Sequence, residues 1–196
     1  MTDWDNYLTH WNQHARNAGP RLAVTSLDEE QYPLVVGEIF DRLAPPVVRR
    51  VYDIGCGAGL AYPLVMKRWP QAIYVGFDVS AEMIEFCRQQ RPEADWQLIT
   101  SLQLPDDAAD FIICHSVFTH IYPQDVIAYL QEFRRILSPD GTVSASIHVD
   151  CAEGFRGDVM RMDYAPAWFE QQVEQCGLQV FDIVKGHQWA YGLRHA

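Results

Sequence analysis

Three glycines at alternate positions follow a short apolar segment in this 196-residue chain. The segment begins at Val51, and the glycines are Gly55, Gly57 and Gly59. Because glycine lacks a Cβ, such a loop can turn sharply and approach a ligand closely, and the helix expected next presents free N–H groups and a positive dipole end. The pattern indicates a loop that binds a nucleotide-containing cofactor, although a tight strand-to-helix turn would carry the same glycines.

Two aspartates indicate which kind of cofactor the loop prefers. Asp78 ends the next predicted strand, close to the offset of about 20 residues at which an acid binds ribose hydroxyls in dinucleotide folds. Asp53 lies just before the first glycine, where its charge would repel a pyrophosphate and attract a cationic amine. A dinucleotide loop would also have a glycine in place of Leu60. The loop therefore favours a ligand with an amino-acid end over NAD.

Composition limits the class of protein. The chain is 48% hydrophobic and long enough for one domain, predicted to span residues 1–196. Its formal net charge of -11 argues against a nucleic-acid partner, which requires a concentrated basic face. Five scattered cysteines without a Cys-x-x-Cys pair predict reduced thiols, a cytoplasmic location and no metal site. We expect no membrane segment, because no window approaches the roughly 20 apolar residues of a span.

Strand and helix patterns alternate through the centre of the chain. This alternation predicts an α/β fold with a Rossmann-like, doubly wound, mostly parallel seven-stranded sheet that binds ligands at the carboxyl ends of its strands. We predict an N-terminal helical cap over residues 1–46, with a helix between Pro33 and Pro45, and a cofactor-binding core over residues 47–149. The core is predicted to contain strands at 47–54, 72–77, 96–99, 110–115 and 142–148, helices at 60–69, 81–90 and 124–137, and a turn at 138–141.

The last part of the chain, residues 150–196, is predicted to lie on the substrate side of the sheet. Residues 150–166 show no clear periodicity, which predicts a loop over the carboxyl edge. Arg156 and Arg161 in this loop would either clamp an acidic acceptor or lie solvated at the surface. The remaining predicted elements are a helix at 167–176 and a C-terminal antiparallel hairpin with strands at 178–184 and 188–193.

Four segments match the pattern of one known family. They are Asp53-Ile-Gly-Cys-Gly-Ala-Gly59, Phe77-Asp-Val-Ser-Ala-Glu-Met83, the stretch from Leu104 to Ile121, and the helix and turn from Phe133 to Gly141. In this order they resemble the class I S-adenosylmethionine-dependent methyltransferases that act on small molecules. The resemblance covers residues 47–149 and implies S-adenosyl-L-methionine as cofactor.

The resemblance also implies roles for individual residues. Asp53 would hold the methionine part of the cofactor, Asp78 would bind the ribose hydroxyls, and His115 would border the methionine end. Ser101 stands nearest the position where many relatives carry an aspartate that binds the adenine amine. The implied cofactor-binding residues are Asp53, Gly55, Cys56, Gly57, Gly59, Asp78, Val79, Met83, Ser101, Leu102 and His115.

The acceptor is less well defined by the sequence. The segment His115-Ser-Val-Phe118 replaces the Asn/Asp-Pro-Pro-Tyr/Phe box of relatives that methylate nucleobases or glutamine, so the resemblance favours a small molecule with a hydroxyl, carboxylate or amine. For a hydroxyl, His148 or His120 would be the catalytic base, unless these histidines serve packing or capping. Two alternatives stay open: a regulatory or assembly protein that binds S-adenosylmethionine without turnover, and an NAD-binding oxidoreductase. The oligomeric state does not follow from the sequence.

Aromatic side chains are concentrated near the N-terminus. Trp4, Tyr7, Trp11 and His14 lie in the first predicted cap segment. They would either close over the cofactor as a lid or pack the first helix against the core.

Overall fold

One mixed sheet organises the structure, a computed structural model that describes residues 4–20, 31–101, 103–104 and 109–196. The strands are β1 (Arg50–Ile54), β2 (Ile73–Asp78), β3 (Asp95–Leu98), β4 (Ala109–Cys114), β5 (Leu137–Ile147), β6 (Phe155–Asp158), β7 (Arg161–Tyr164), β8 (Leu178–Lys185) and β9 (Trp189–His195). The helices are α1 (Trp4–Ala18), α2 (Gln31–Leu43), α3 (Ala61–Arg68), α4 (Ala81–Gln90), α5 (Pro123–Ile136) and α6 (Pro166–Gln175), and Phe118–His120 form one 3-10 turn.

The strand order of the main sheet is β3-β2-β1-β4-β5-β9-β8. The first five of these strands are parallel, β9 pairs antiparallel with β5, and β8 pairs antiparallel with β9. The carboxyl ends of β2, β1, β4 and β5 therefore meet at one edge. The order reverses between β1 and β4, which is where open α/β sheets bind ligands. This topology confirms the predicted seven-stranded sheet, its C-terminal antiparallel hairpin and the N-terminal helices.

Helices cover both faces of the sheet, which explains why its central strands are apolar throughout rather than alternating. Neighbouring residues of β1 illustrate this, because Val51 packs with Phe111 in one core cluster while Tyr52 packs with Phe77 in the other. All four side chains are at most 1% exposed. Among the described residues, no helix is long and apolar enough to cross a membrane.

The turn expected at residues 138–141 lies inside β5. Ala109 of β4 pairs with Leu137, whereas Phe111, two residues on, pairs with Thr142. The extra residues of β5 are absorbed by this shift in register, so the Pro-Asp-Gly sequence bends the strand without ending it.

The prediction of a loop at residues 150–166 is wrong in part, because β6 and β7 form an antiparallel hairpin there. All four residues of β6 are exposed, so no alternation marks this strand in the sequence. Three consecutive residues of β7, Met162, Asp163 and Tyr164, are buried, which again gives no period of two. The hairpin lies beside the end of β5, where Tyr164 N donates a hydrogen bond to the carbonyl oxygen of His148 at 2.8 Å.

Candidate cofactor and acceptor site

A cavity of about 750 Å³ lies at the carboxyl edge of the sheet. It is bordered by the glycine loop after β1, the ends of β2, β4 and β5, helices α1 and α2, and the turn between β8 and β9. Binding sites for small molecules and cofactors commonly have volumes of about 300–1,000 Å³. The cavity therefore has room for a nucleotide-containing cofactor together with a small second ligand.

The glycine loop is held against β2 by its backbone. The N–H groups of Gly55 and Cys56 both donate to the carbonyl oxygen of Phe77, at 2.8 and 2.9 Å. Gly55 has φ 72°, and a Cβ there would lie 2.3 Å from Cγ2 of Val117. This position accepts glycine alone, since an L side chain would meet both a strained backbone and a clash.

Gly59 has a different role from the one expected. Its φ is also 72°, but a Cβ there would meet the ring of Trp96 at 2.8 Å and Sγ of Cys87 at 3.2 Å. Gly59 is absent from the cavity wall formed by the described residues. It thus lets α3 and the loop pack on the core, while Gly55 and Gly57 border the cavity.

Asp78 ends β2 and anchors the loop. Its Oδ2 accepts a hydrogen bond from Gly57 N at 2.9 Å, and its Oδ1 accepts one from Ser80 N at 2.8 Å. Burial raises the pKa of Asp78, and the backbone donors from Ser80, Gly57 and Val79 oppose that rise. A carboxylate offers about four lone-pair sites, so these three donors leave room for a further one. The side chain borders the cavity, where it can accept from a ligand hydroxyl.

Asp53 presents a second carboxyl group to the cavity. Burial raises its pKa to about 7, against the hydrogen bond that Tyr74 Oη donates to its Oδ2 at 2.5 Å. A neighbouring charge, that of Asp78, raises the pKa further. A buried carboxyl with this pKa gains most from a cationic ligand group, which favours its ionised form. The ammonium of an amino-acid moiety fits this position.

The raised pKa of Asp53 predicts how cofactor affinity depends on pH. Below about pH 7 the free carboxyl carries a proton that an ammonium must displace, so affinity should rise with pH and level off above that value. Titration calorimetry with S-adenosylhomocysteine should show a gain of roughly twentyfold between about pH 5.5 and about pH 7.5. Asp53→Asn should bind more weakly and give a flat profile. An equally steep profile in this variant would show that another group titrates.

An apolar part of the cavity wall lies between β2, α4 and β3. Val79 and Met83 border it as expected, and Ile99, just after β3, joins them. Ile99 could have been recognised as a lining residue from its position at the end of the third predicted strand. Ser101 is exposed and lies apart from the described cavity wall, and Leu102 falls outside the described residues.

Cys56 borders the cavity, but its thiol is not an activated one. Burial raises the pKa of Cys56 well above the ordinary value, and the nearby Cys87 thiol and the carboxylates add to the effect. Since the thiolate is the nucleophilic form, this group is suited to filling space beside the loop.

Of the two histidines predicted to be catalytic, the structure brings one to the cavity. His120 borders it, with Nδ1 3.2 Å from the carbonyl oxygen of Val159 and its ring edge-on to Trp11 at 5.0 Å. Burial lowers the pKa of His120. His148 is 8% exposed and is not part of the described cavity wall; its backbone pairs with the β6–β7 hairpin, and its ring lies edge-on to that of His187 at 5.2 Å.

His115 borders the cavity at the end of β4, as expected. Its Nε2 lies 2.7 Å from Ser144 Oγ, and its ring is tilted against Phe40 at 6.1 Å. Burial lowers the pKa of His115 to about 4, so the ring is neutral at pH 7. A neutral, hydrogen-bonded imidazole supports the cavity wall at this point without adding charge to it.

The two loop arginines pair with acids of their own region. Arg161 Nε lies 2.9 Å from Oδ1 of Asp163, and its Nη2 reaches Asp150 at 2.5 Å. Arg156 Nε lies 3.3 Å from the other oxygen of Asp163. Neither guanidinium is in the cavity wall formed by the described residues, so the structure does not support a clamp on the acceptor there.

The N-terminal aromatics combine the two roles that the sequence left open. Tyr7 and Trp11 of α1 both border the cavity. Tyr7 also packs inward, because its hydroxyl donates to Oδ2 of Asp125 at 2.5 Å and accepts from Tyr122 N at 3.0 Å. His14 lies away from the described cavity wall.

Two further walls were not recognised in the sequence. Helix α2 contributes Tyr32, Val35, Val36, Glu38 and Ile39, and the β8–β9 turn contributes Lys185, Gly186, His187 and Gln188. The apolar pattern of α2 was visible, but nothing in it separates a face that covers a ligand from one that packs on the core. The turn is brought to the cavity by the pairing of β9 with β5.

An open α/β sheet with a glycine loop, two buried aspartates and a cavity at its switch point defines a protein that binds a nucleotide-containing cofactor with a cationic amino-acid end. The comparisons with known proteins specify the family. Residues 52–145 match the family model described as "Methyltransferase domain". Over these residues the chain is a methyltransferase domain, which confirms the resemblance to the class I S-adenosylmethionine-dependent methyltransferases and the cofactor that it implies.

Two curated relatives carry the name trans-aconitate 2-methyltransferase. That of Azoarcus sp. (strain BH72) is 31% identical over 147 residues, which cover 74% of this chain and 50% of the relative. That of Rhodopseudomonas palustris (strain BisB18) is 26% identical over 182 residues, which cover 91% and 63%. The chain thus spans about half to two thirds of the length of these relatives.

A solved structure shares the fold. Magnesium protoporphyrin IX methyltransferase from Synechocystis PCC 6803, with bound S-adenosylhomocysteine, has a TM-score of 0.72 and 17% sequence identity. The match covers 98% of this chain and all of that one. At this identity the likeness shows the fold alone.

Proposed function

We propose that this protein transfers the methyl group of S-adenosylmethionine to a small-molecule acceptor. One observation carries the proposal: a single cavity contains Asp53 and Asp78 beside the glycine loop, and it continues past the ends of β4 and β5 to the β8–β9 turn. The first part suits the cofactor, and the remainder leaves room for an acceptor.

The residues of the chain would act mainly by positioning. Asp53 would hold the ammonium group, Asp78 the ribose hydroxyls, and Val79 and Met83 the adenine face. When bound, S-adenosylmethionine supplies a methyl group that its sulfonium has already activated. The departing thioether needs no proton, so no residue has to act as a general acid. Alignment of acceptor and methyl group in a cavity closed by α1 and α2 would provide most of the rate enhancement.

The acceptor that we propose to test first is a small organic acid, because the curated relatives are named for trans-aconitate. A carboxylate is ionised at neutral pH and attacks without a base. This choice is supported by the pKa of His115, which is lowered to about 4, and by the position of His148 outside the described cavity wall. For a hydroxyl acceptor, His120 would be the candidate base.

The proposal is tested with S-adenosylmethionine labelled in its methyl group. The protein is incubated with trans-aconitate, with phenols and with primary amines, and label transferred to each compound is counted. We expect transfer to the acid. Binding of S-adenosylmethionine without transfer to any compound would favour a protein without turnover, and absence of both binding and transfer would contradict the proposal.

A further inference from the structure

Three side chains form a closed ring of hydrogen bonds at the acceptor end of the cavity. Ser116 follows β4, Ser146 lies near the end of β5, and Gln188 belongs to the β8–β9 turn; all three border the cavity. Ser116 N donates to Ser146 Oγ at 2.8 Å, and Ser146 Oγ lies 2.6 Å from Gln188 Oε1. Gln188 Nε2 lies 3.0 Å from Ser116 Oγ and completes the ring.

The ring fixes which way the amide of Gln188 points. Ser146 Oγ accepts from the backbone N–H of Ser116, and its distance of 2.6 Å to Gln188 is typical of an O–H···O bond and short for an N–H···O bond, so Ser146 donates its proton to Gln188. The atom of Gln188 that receives this proton is therefore the amide oxygen. The amide nitrogen faces Ser116 and has two protons, of which the ring uses one.

Two donors are left for a ligand. One is the second N–H of Gln188 Nε2. The other is the hydroxyl proton of Ser116, whose alternative partner, Gln188 Oε1, lies at the long distance of 3.3 Å. Ser116 is exposed and Gln188 is partly buried, so both groups are accessible from the cavity. A pair of neighbouring donors matches an oxygen of a carboxylate or carbonyl group.

The backbone of Ser116 supports a role in binding. Its φ is 58°, which makes it the one residue other than glycine with a positive φ in the described part of the chain. Such conformations are costly and are concentrated at ligand sites. At Ser116 this backbone directs the N–H to Ser146 while the hydroxyl faces Gln188.

The charges around the ring favour an anion. Lys185, the last residue of β8, borders the cavity beside the turn that contains Gln188. Of the nearby carboxylates, Asp53 is assigned to the ammonium of the cofactor, and Glu38 lies 3.7 Å from the guanidinium of Arg42.

We infer that Ser116 and Gln188 bind a carboxylate of the acceptor and so select an organic acid. The inference rests on the proposed function, because it concerns the acceptor end of the same cavity. It assigns specificity to two residues outside the cofactor motifs. Neither residue takes part in moving the methyl group.

The test is calorimetric titration of the protein saturated with S-adenosylhomocysteine. The probes are trans-aconitate and its uncharged trimethyl ester. Wild type should bind the acid and not the ester. Gln188→Glu keeps the shape of the side chain and the acceptor for Ser146 but replaces the free donor with a negative charge. It should lower the affinity for trans-aconitate about tenfold to a hundredfold. Ser116→Gly removes the hydroxyl and also relieves the strain of the positive φ. It should lower the affinity for trans-aconitate about tenfold.

The control is Gln171→Glu, which makes the same change of charge at an exposed position on α6 and should bind the acid as wild type does. All variants should retain the affinity for S-adenosylhomocysteine. The inference is overturned if wild type binds no acid, if it binds the ester equally well, or if Gln188→Glu binds the acid unchanged. If S-adenosylhomocysteine itself does not bind, the proposed function fails instead, so the two failures are distinguishable.

Discussion

Asp78→Ala is expected to abolish the thermal stabilisation that S-adenosylhomocysteine gives to the wild-type protein. A ligand present at about a hundred times its Kd stabilises the native state by about 2.7 kcal/mol, or about 5–10 °C in Tm for a chain of this size. Asp78 carries the oxygens available to the ribose, and its Oδ2 also holds Gly57 N at 2.9 Å. If Asp78 binds the ribose as proposed, the substitution removes that contact and the anchor of the loop at once.

The same substitution should leave the free protein folded. Burial raises the pKa of Asp78, so the ionised group is costly in the free protein and alanine removes that cost. The backbone donors of Gly57, Val79 and Ser80 lose this acceptor; Gly57 and Val79 border the cavity, where water can replace it, whereas Ser80 is buried. Asp95→Ala, at an exposed carboxylate at the start of β3, is the matched control and should keep the full shift. If S-adenosylhomocysteine raised the Tm of Asp78→Ala as much as that of wild type, the proposed binding of ribose by this residue would be contradicted.

The second large effect is expected at Gly55. A left-handed backbone costs a residue with a Cβ about 1–2 kcal/mol, and overpacking typically costs about 1–3 kcal/mol more. Because a Cβ at Gly55 would lie 2.3 Å from Val117 Cγ2, Gly55→Ala should lose both amounts. The sum of about 2–5 kcal/mol lowers Tm by roughly 4–20 °C, and cofactor binding should be lost as well.

Two companion variants separate the causes at Gly55. Adding Val117→Ala removes the clash but not the strain, so the double variant should recover part of the lost stability. Gly37→Ala makes the same change in α2, where a Cβ meets no atom within 4 Å, and it should be neutral or stabilising by up to about 1 kcal/mol. If Gly55→Ala had the same melting temperature as wild type in thermal denaturation, the described geometry of the loop would be wrong.

The cofactor half of the site was predictable because its determinants are local. A strand, a glycine loop and an acid at the end of the next strand specify one edge of a parallel sheet. Asp53 and Asp78 accordingly border the cavity together with Gly55 and Gly57. The carboxyl-edge rule then places the remaining strand ends beside them.

The acceptor half depends on contacts between distant segments, which no local pattern records. His148 directly follows β5 and was expected to face the cavity, but it lies outside the described cavity wall and its backbone pairs with the β6–β7 hairpin. The hairpin escaped notice because its exposed strand and its buried strand each lack alternation. Gln188 reaches Ser116 and Ser146 only through the antiparallel pairing of β9 with β5.

The central claim, that this cavity binds a sulfonium cofactor by its amino-acid and ribose parts, is tested most directly by calorimetric titration of the wild-type protein with S-adenosylmethionine and with NAD at about pH 7.5, above the pKa of about 7 at Asp53. We predict saturable binding of one S-adenosylmethionine for each chain, with weaker or undetectable binding of NAD. Equal or tighter binding of NAD, or heat flow that does not saturate with S-adenosylmethionine, would contradict the account.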